Sequence, residues 1–280
     1  MAGWQSGYAA ACKAVYAGSI PTPASTENVI NDPKIFFCMS MKHFAVTGIF
    51  RILFLFLFCG LFSAFSVSAD TKILYTIDFT GQKNGSAVEW LKQNGFEFEL
   101  AASELNPRFE NDALVISTHK ELAGLFGLQF NQQDYIHDVK RIEIVWGVNK
   151  YPEGADWNNG INSVPIAVMF SFGTEKLSSG LPLGIKAAPH FLSPFIGLNE
   201  EQDRMYVGRL WREGGRYFCV AAGDQSGKTI TTDFEVDTRF KDTFNRDKTP
   251  PITALAFQKN TAKTQGGSEA FIKKITFLSE

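Results

Sequence analysis

The sequence predicts an all-β fold, a single β-sandwich or jelly roll carrying one or two short helices. Three observations lead there. Arg141–Val148 and Ile166–Phe172 each place apolar side chains on one face at period two: Ile142, Ile144, Trp146 and Val148 in the first, Ile166, Val168, Phe170 and Phe172 in the second. Roughly ten short strand-like runs of this kind, spaced by turn formers, follow one another without an internal repeat. The chain holds 26 phenylalanines, the β-compatible apolar residue that fills such a core.

Three segments divide the chain. Residues 1–40 read as a translated transfer-RNA gene: Trp4–Tyr8 can be encoded by a D-arm, Ala11–Ala14 by an anticodon stem-loop, and Gly18–Pro21 by a T-arm. On this reading translation starts at Met41, or at Met39, and export and folding do not need Met1–Ser40. A disordered Ala/Ser/Pro-rich tail is the alternative. Residues 41–69 read as a signal peptide: Lys42 and Arg51 supply the positive region, Ile52–Phe58 open the apolar region, and Val67–Ala69 offer a small-residue cleavage site. An uncleaved anchor remains open, because the apolar run is only slightly shorter than the ~20 residues that span a bilayer. Residues 70–280 form the sandwich domain, expected in the periplasm or outside the cell, with the signal segment its one membrane association.

The elements follow in order. Ile73–Phe79 alternates as the opening strand. Ser86-x-x-Glu89 has the spacing of a capping box, so a short helix through Trp90 and Leu91 should end at Asn94-Gly95. Strands are expected at Phe96–Leu100, Ala113–Thr118 and Gly124–Phe130. Gly173–Phe195, with its glycines and prolines, reads as a long irregular loop. A hairpin turn at Glu213–Gly215 joins Arg204–Trp211 to Arg216–Val220. Lys228–Val236 is β-branched and alternating, Asp237 should cap a helix through Phe240 and Phe244, and Ile252–Phe257 and Phe271–Phe277 complete the sheets.

The pattern resembles a bacterial secreted family, domain of unknown function three-zero-four-seven, over most of residues 73–278. The carriers are Asp78-Phe79, Ala123–Leu125, the strand centred on Trp146 with Pro152, Gly154, Ala155 and Asp156 after it, and Asp233–Phe244 leading into Pro250–Ile252. The resemblance implies a jelly-roll envelope protein and supplies no activity. Where the family has an acidic Thr-Asp-Thr-Asp-Asn-like run, this chain has Gln258–Lys263 without a carboxylate, so a cation held there in relatives would find no ligand here.

Charge and cysteine content exclude several functions. The net charge is −2 with no basic stripe, which argues against nucleic acid as a partner. Of the four cysteines only Cys219 follows residue 70, so the domain has no internal disulfide, and in Tyr217–Val220 the thiol reads as a small core hydrophobe. Ala222–Thr229 matches a loose phosphate-loop string. A strand rather than a helix follows it, so no nucleotide partner is expected.

The candidate site is the connection Tyr151–Asn162. Glu153, Asp156, Asn158, Asn159 and Asn162 surround Trp157 with side-chain oxygens, a surface suited to stacking on and hydrogen-bonding a glycan or other envelope ligand. Trp157 is expected at the loop tip. His190, between Pro189 and Phe191 in the long loop, joins the set. No cofactor is expected, although calcium suits such an oxygen-rich loop. The histidines His119, His137 and His190 lack zinc spacing. Asp233 and Glu235 share a strand face roughly 7 Å apart, inside the about 5–9 Å that glycoside hydrolysis uses, and are the candidate catalytic pair. The sequence therefore favours non-catalytic glycan-type recognition, with a glycan-active enzyme and a structural or interaction protein as the alternatives.

Overall fold

The computed structural model describes residues 71–178 and 187–280. The expected leader, signal peptide and cleavage site lie outside the described residues. The domain contains fourteen strands and two α-helices: β1 (Ile73–Asp78), β2 (Gly85–Ser86), α1 (Val88–Gln93), β3 (Phe96–Leu100), β4 (Arg108–Phe109), β5 (Leu114–Thr118), β6 (Ala123–Gln129), β7 (Arg141–Lys150), β8 (Val164–Leu177), β9 (Ala188–Ile196), β10 (Met205–Tyr206), β11 (Gly215–Ala221), β12 (Ile230–Phe234), α2 (Val236–Phe244), β13 (Ile252–Asn260) and β14 (Ser268–Leu278). They form an all-β sandwich of two seven-stranded sheets. Sheet A runs β12-β7-β14-β5-β4-β2, and β1 also pairs with β14. Sheet B runs β10-β11-β9-β8-β13-β6-β3. β9 and β11 pair in parallel; the remaining strand pairs are antiparallel.

The central pair of the sequence, β7 and β8, falls on opposite sheets with the expected faces inward. Ile142, Ile144, Trp146 and Val148 meet Ile166, Val168, Phe170 and Phe172 in one core. Trp146 is fully buried and donates its indole N–H to Thr232 Oγ1 at 3.0 Å. Gly147 interrupts β7 for a steric reason. A Cβ there would lie 2.4 Å from the Phe271 ring and 2.3 Å from the Lys228 carbonyl oxygen, so only glycine lets the next strand's aromatic cross this point. On β13 of sheet B, Lys259 is fully buried, donates to the Pro165 carbonyl at 2.8 Å, and burial pushes its ammonium down to about 7.

Several local expectations change. The described residues of the expected loop Gly173–Phe195 are mostly strand: β8 runs to Leu177 and β9 begins at Ala188, while 179–186 lie outside the described residues. β9 is buried on both faces over nearly all its length, which erases the period-two polarity that marks a half-exposed strand. The Ser86 capping box does not close. Ala87 occupies the N-cap position with no side-chain bond, and Ser86 Oγ only accepts a long contact of 3.4 Å from the Val88 N–H. Asp237 sits inside the first turn of α2 rather than capping it. Its carboxylate takes bonds from Lys140, Lys241 and Thr249. These outweigh burial and hold it down to about 2. The expected hairpin arm Arg204–Trp211 shrinks to two residues, and the rest crosses the outside of sheet B as a loop.

Candidate functional site

The outer face of sheet B carries a second apolar cluster. Ala167 and Met169 of β8, Phe191 and Phe195 of β9, Tyr217 and Cys219 of β11, and Ala256 of β13 belong to it. Tyr206 of the edge strand β10 belongs to it too, and Trp211 and Trp157 come from connecting segments and cover it. Cys219 is buried, and burial pushes its thiol up to about 12, so it is an inert core atom at neutral pH.

The β7–β8 connection positions Trp157. Asp156 caps a single 3-10 turn over Trp157–Asn159, its Oδ1 accepting from the N–H groups of Asn158 and Asn159 and its Oδ2 from Asn159 Nδ2. Gly160 leaves that turn in the left-handed region at φ 78°. Backbone bonds between Asp156 and Ile161 then close the loop. The turn drives the indole inward. Trp157 stacks on Phe195 with centroids 5.3 Å apart and planes at 23°, leans on Tyr217 at 4.7 Å, and donates Nε1–H to the Ser163 carbonyl. Its own N–H donates to Glu200 Oε1. Trp157 is 7% exposed. The expectation of a loop-tip indole is therefore corrected: the ring plugs the outer cluster because three aromatic rings meet it there.

The other sequence candidates scatter. Asn158 gives its Nδ2–H to the Asn199 carbonyl and accepts from Arg204 and Tyr206, so it ties the loop to the segment covering the sheet. Glu153 is exposed and its backbone bridges to Gln265. Asn159 belongs to the Asp156 cap. Asn162 faces the cleft described below. His190 is a strand residue rather than a loop residue. It lies buried on β9 with its ring 4.2 Å from Phe244 and 5.7 Å from Phe240, and neither nitrogen has a partner among the described residues. Burial, reinforced by Arg246, lowers its pKa and keeps it neutral. It packs under α2, away from the loop. Asp233 is exposed on β12 and ion-paired to Arg141 at 2.9 Å, on the outside of sheet A. Glu235 follows it at the N-cap position of α2 and makes no side-chain cap bond. The two carboxylates are thus on the opposite side of the sandwich from the outer cluster. Among the described residues no group of three His, Cys, Asp or Glu side chains could hold a metal ion, and no helix is long and apolar enough to cross a membrane.

What the sequence did not single out is a cleft beside Trp157. It encloses about 100 Å³, space for several waters. One wall is aromatic: Trp157, Trp211 and Tyr217. The other is polar: Asn162, Gln258 and Asn260. Arg209 and Lys263 also line it. Asn260 is committed to the wall, its Nδ2 donating to the Asn162 carbonyl and its Oδ1 accepting from the Ala262 N–H. Gln258 lines the cleft and accepts from the Tyr217 hydroxyl through Oε1, so its amide nitrogen is not used in that bond. The sequence signal for this wall was the acid-free run Gln258–Lys263. Nothing local tied it to Trp157, about a hundred residues away.

A second unforeseen group is Glu99 on β3. It pairs across to Leu125, whose other neighbour is Gln258, so Glu99 and Gln258 flank Leu125 on one face. Both carboxyl oxygens are buried without a partner among the described residues, and burial, with Glu97 adding, pushes the group up to about 7. The folded state therefore holds a proton that the unfolded chain releases near 4.5. Stability should fall as pH rises from there to about 7 and stay lower above it. Glu99→Gln should be more stable than the parent at pH 8, by on the order of 1–3 kcal/mol after discounting for solvent, and equal to it at pH 4. Urea unfolding at the two pH values measures the difference, and an equal effect at both would mean that folding does not raise the Glu99 pKa.

No family model and no curated protein matches the chain. Among solved structures it is similar to a family 29 carbohydrate-binding module from Piromyces equi, at 12% identity over 76% of this chain and 93% of that one with a TM-score of 0.34. It is also similar to a family 12 xyloglucanase from Bacillus licheniformis, at 9% identity over 74% and 99% with a TM-score of 0.36. The cleaved K2 adhesin domain of Lys-gingipain matches at 11% identity over 72% and 98% with a TM-score of 0.30. At these values the likeness extends to no functional assignment.

Proposed function

We propose that the chain is a periplasmic or secreted β-sandwich protein that recognises a glycan-type ligand without transforming it, in the cleft on the outer face of sheet B. The observation that carries this reading is the apposition of the Trp157, Trp211 and Tyr217 wall to the amides of Asn162 and Gln258. Sugars present both an apolar ring face and a rim of hydroxyls, and an aromatic wall opposite amide donors and acceptors satisfies the two together. The leader reading supports export, which would bring the domain to envelope or extracellular polysaccharide. For the enzymatic alternative, Asp233 is exposed and ion-paired to Arg141, on the far side of the sandwich from this cleft.

Calorimetric titration of the protein with neutral and acidic oligosaccharides, run beside a reducing-end assay, tests the reading. Saturable binding with no new reducing ends is the expected result. Gln258→Ala should weaken it about tenfold, the loss of a hydrogen-bonded polar contact, and leave Tm within a few degrees. New reducing ends would move the protein to the enzymes. Failure to bind any saccharide would leave an interaction or structural role.

A further inference from the structure

The cleft's charges narrow the ligand. Its only charged lining residues are Arg209 and Lys263, in a chain whose net charge is −2. Neither side chain has a carboxylate partner among the described residues, unlike Arg108, which pairs with Glu110 and Glu269. Two nearby acids are used by backbone groups, while Glu99, two strands from Gln258, is buried with its pKa pushed up to about 7. Glu200 accepts from the backbone N–H groups of Trp157, Leu198 and Asn199, and Glu121 accepts from the backbone N–H of Lys263.

Lys263 is held, not merely exposed. It sits at φ 60°, in the left-handed region that a residue with a Cβ seldom adopts. Buried Thr261 and Thr264 close the turn beneath it, with the Thr264 N–H and hydroxyl both donating to the Thr261 carbonyl. The Glu121 bond fixes its backbone from the other side. Gln258 Nε2 adds a further donor on the same wall. The groups left for a ligand are thus mainly donors, two of them cationic.

We infer that the cleft takes an acidic saccharide, one bearing a carboxylate or sulfate group that Arg209 and Lys263 contact while the sugar ring lies against the aromatic wall. This rests on the glycan-binding reading above. A guanidinium matches either anion with paired donors, and the ammonium supplies a point charge beside it. A neutral sugar can only accept hydrogen bonds from the same pair without charge pairing, and a basic sugar is repelled by it.

The test compares three oligosaccharides of equal length on the full protein by calorimetry: a galacturonate, a sulfated galactan and a neutral galactan. At least one acidic probe should bind about tenfold tighter than the neutral one, and the carboxylated and sulfated arms identify which anion is preferred. Raising the ionic strength from about 0.01 M to about 1 M shortens the screening length from roughly 30 to 3 Å and should remove most of the preference. The double variant Arg209→Gln, Lys263→Gln should bring the acidic-to-neutral ratio to about one while leaving Tm unchanged, since both side chains are exposed. Equal binding of all three probes to the parent protein would overturn the acidic inference and leave glycan recognition standing. A preference that survives the double variant would also overturn it. No binding of any probe would remove the glycan reading itself.

Discussion

Replacing Trp157 by alanine should destabilise the domain by about 3–5 kcal/mol, the cost of truncating a large aromatic in a packed interior. The indole is 7% exposed and touches Phe195, Tyr206 and Tyr217, each from a different part of sheet B or its cover. Its removal leaves a cavity that these rings cannot fill, because all three belong to hydrogen-bonded strands. It also leaves the Ser163 carbonyl without its indole donor. Trp157→Phe keeps the stacking and loses the donor, so a smaller loss of about 1–2 kcal/mol is expected. Chemical denaturation of the two variants separates the effects. A loss under about 1 kcal/mol for the alanine variant would place the ring outside the cluster. For this reason the binding tests use Gln258, Arg209 and Lys263, whose loss leaves the fold intact.

The case of Trp157 marks where sequence reasoning stops. Its flanking residues, Asp156, Asn158, Asn159 and Gly160, are turn formers, and the turn they predict is present. Turn chemistry fixes the backbone but not the direction of the one apolar side chain in it. That direction depends on Phe195, Tyr206 and Tyr217, which are distant in sequence. β7 and β8 were legible because alternating apolar residues define an inner face from local information alone. β9 was not, because Phe191 and Phe195 pack outward while Leu192 and Ile196 pack inward, so both faces are apolar. The same cause hid the candidate site. A sheet with an apolar outer face invites cover, the cover brings Trp157 and Trp211 beside β13, and only this non-local packing makes a cleft from Asn162, Gln258 and Lys263. His190 shows the converse. Flanking proline and phenylalanine suggested a loop, but Pro189 and Pro194 are tolerated within β9, and the imidazole pairs with the α2 aromatics instead.

Trp146→Ala should also cost about 3–5 kcal/mol, but through the other core. Trp146 is on β7, the strand held by β12 on one side and β14 on the other, opposite Ile230 and Ile272. Its side chain enters the sandwich interior, where it is fully buried. The cavity therefore opens between two sheets whose strands are held by ladders on both edges, which limits collapse and keeps the penalty near the upper part of the range. The hydroxyl of Thr232, a buried strand residue, loses the indole donor at 3.0 Å. A second variant isolates that bond: Thr232→Val leaves the indole N–H buried without an acceptor and should cost about 1–3 kcal/mol on its own. In the double variant Trp146→Ala, Thr232→Val the two losses should not add, because each single change already breaks the one bond they share. Urea unfolding of the four proteins gives the coupling directly. Additive losses would show that the indole–hydroxyl bond contributes nothing to stability. A Trp146→Ala loss under about 1 kcal/mol would put the indole on the solvent side and reverse the facing of β7.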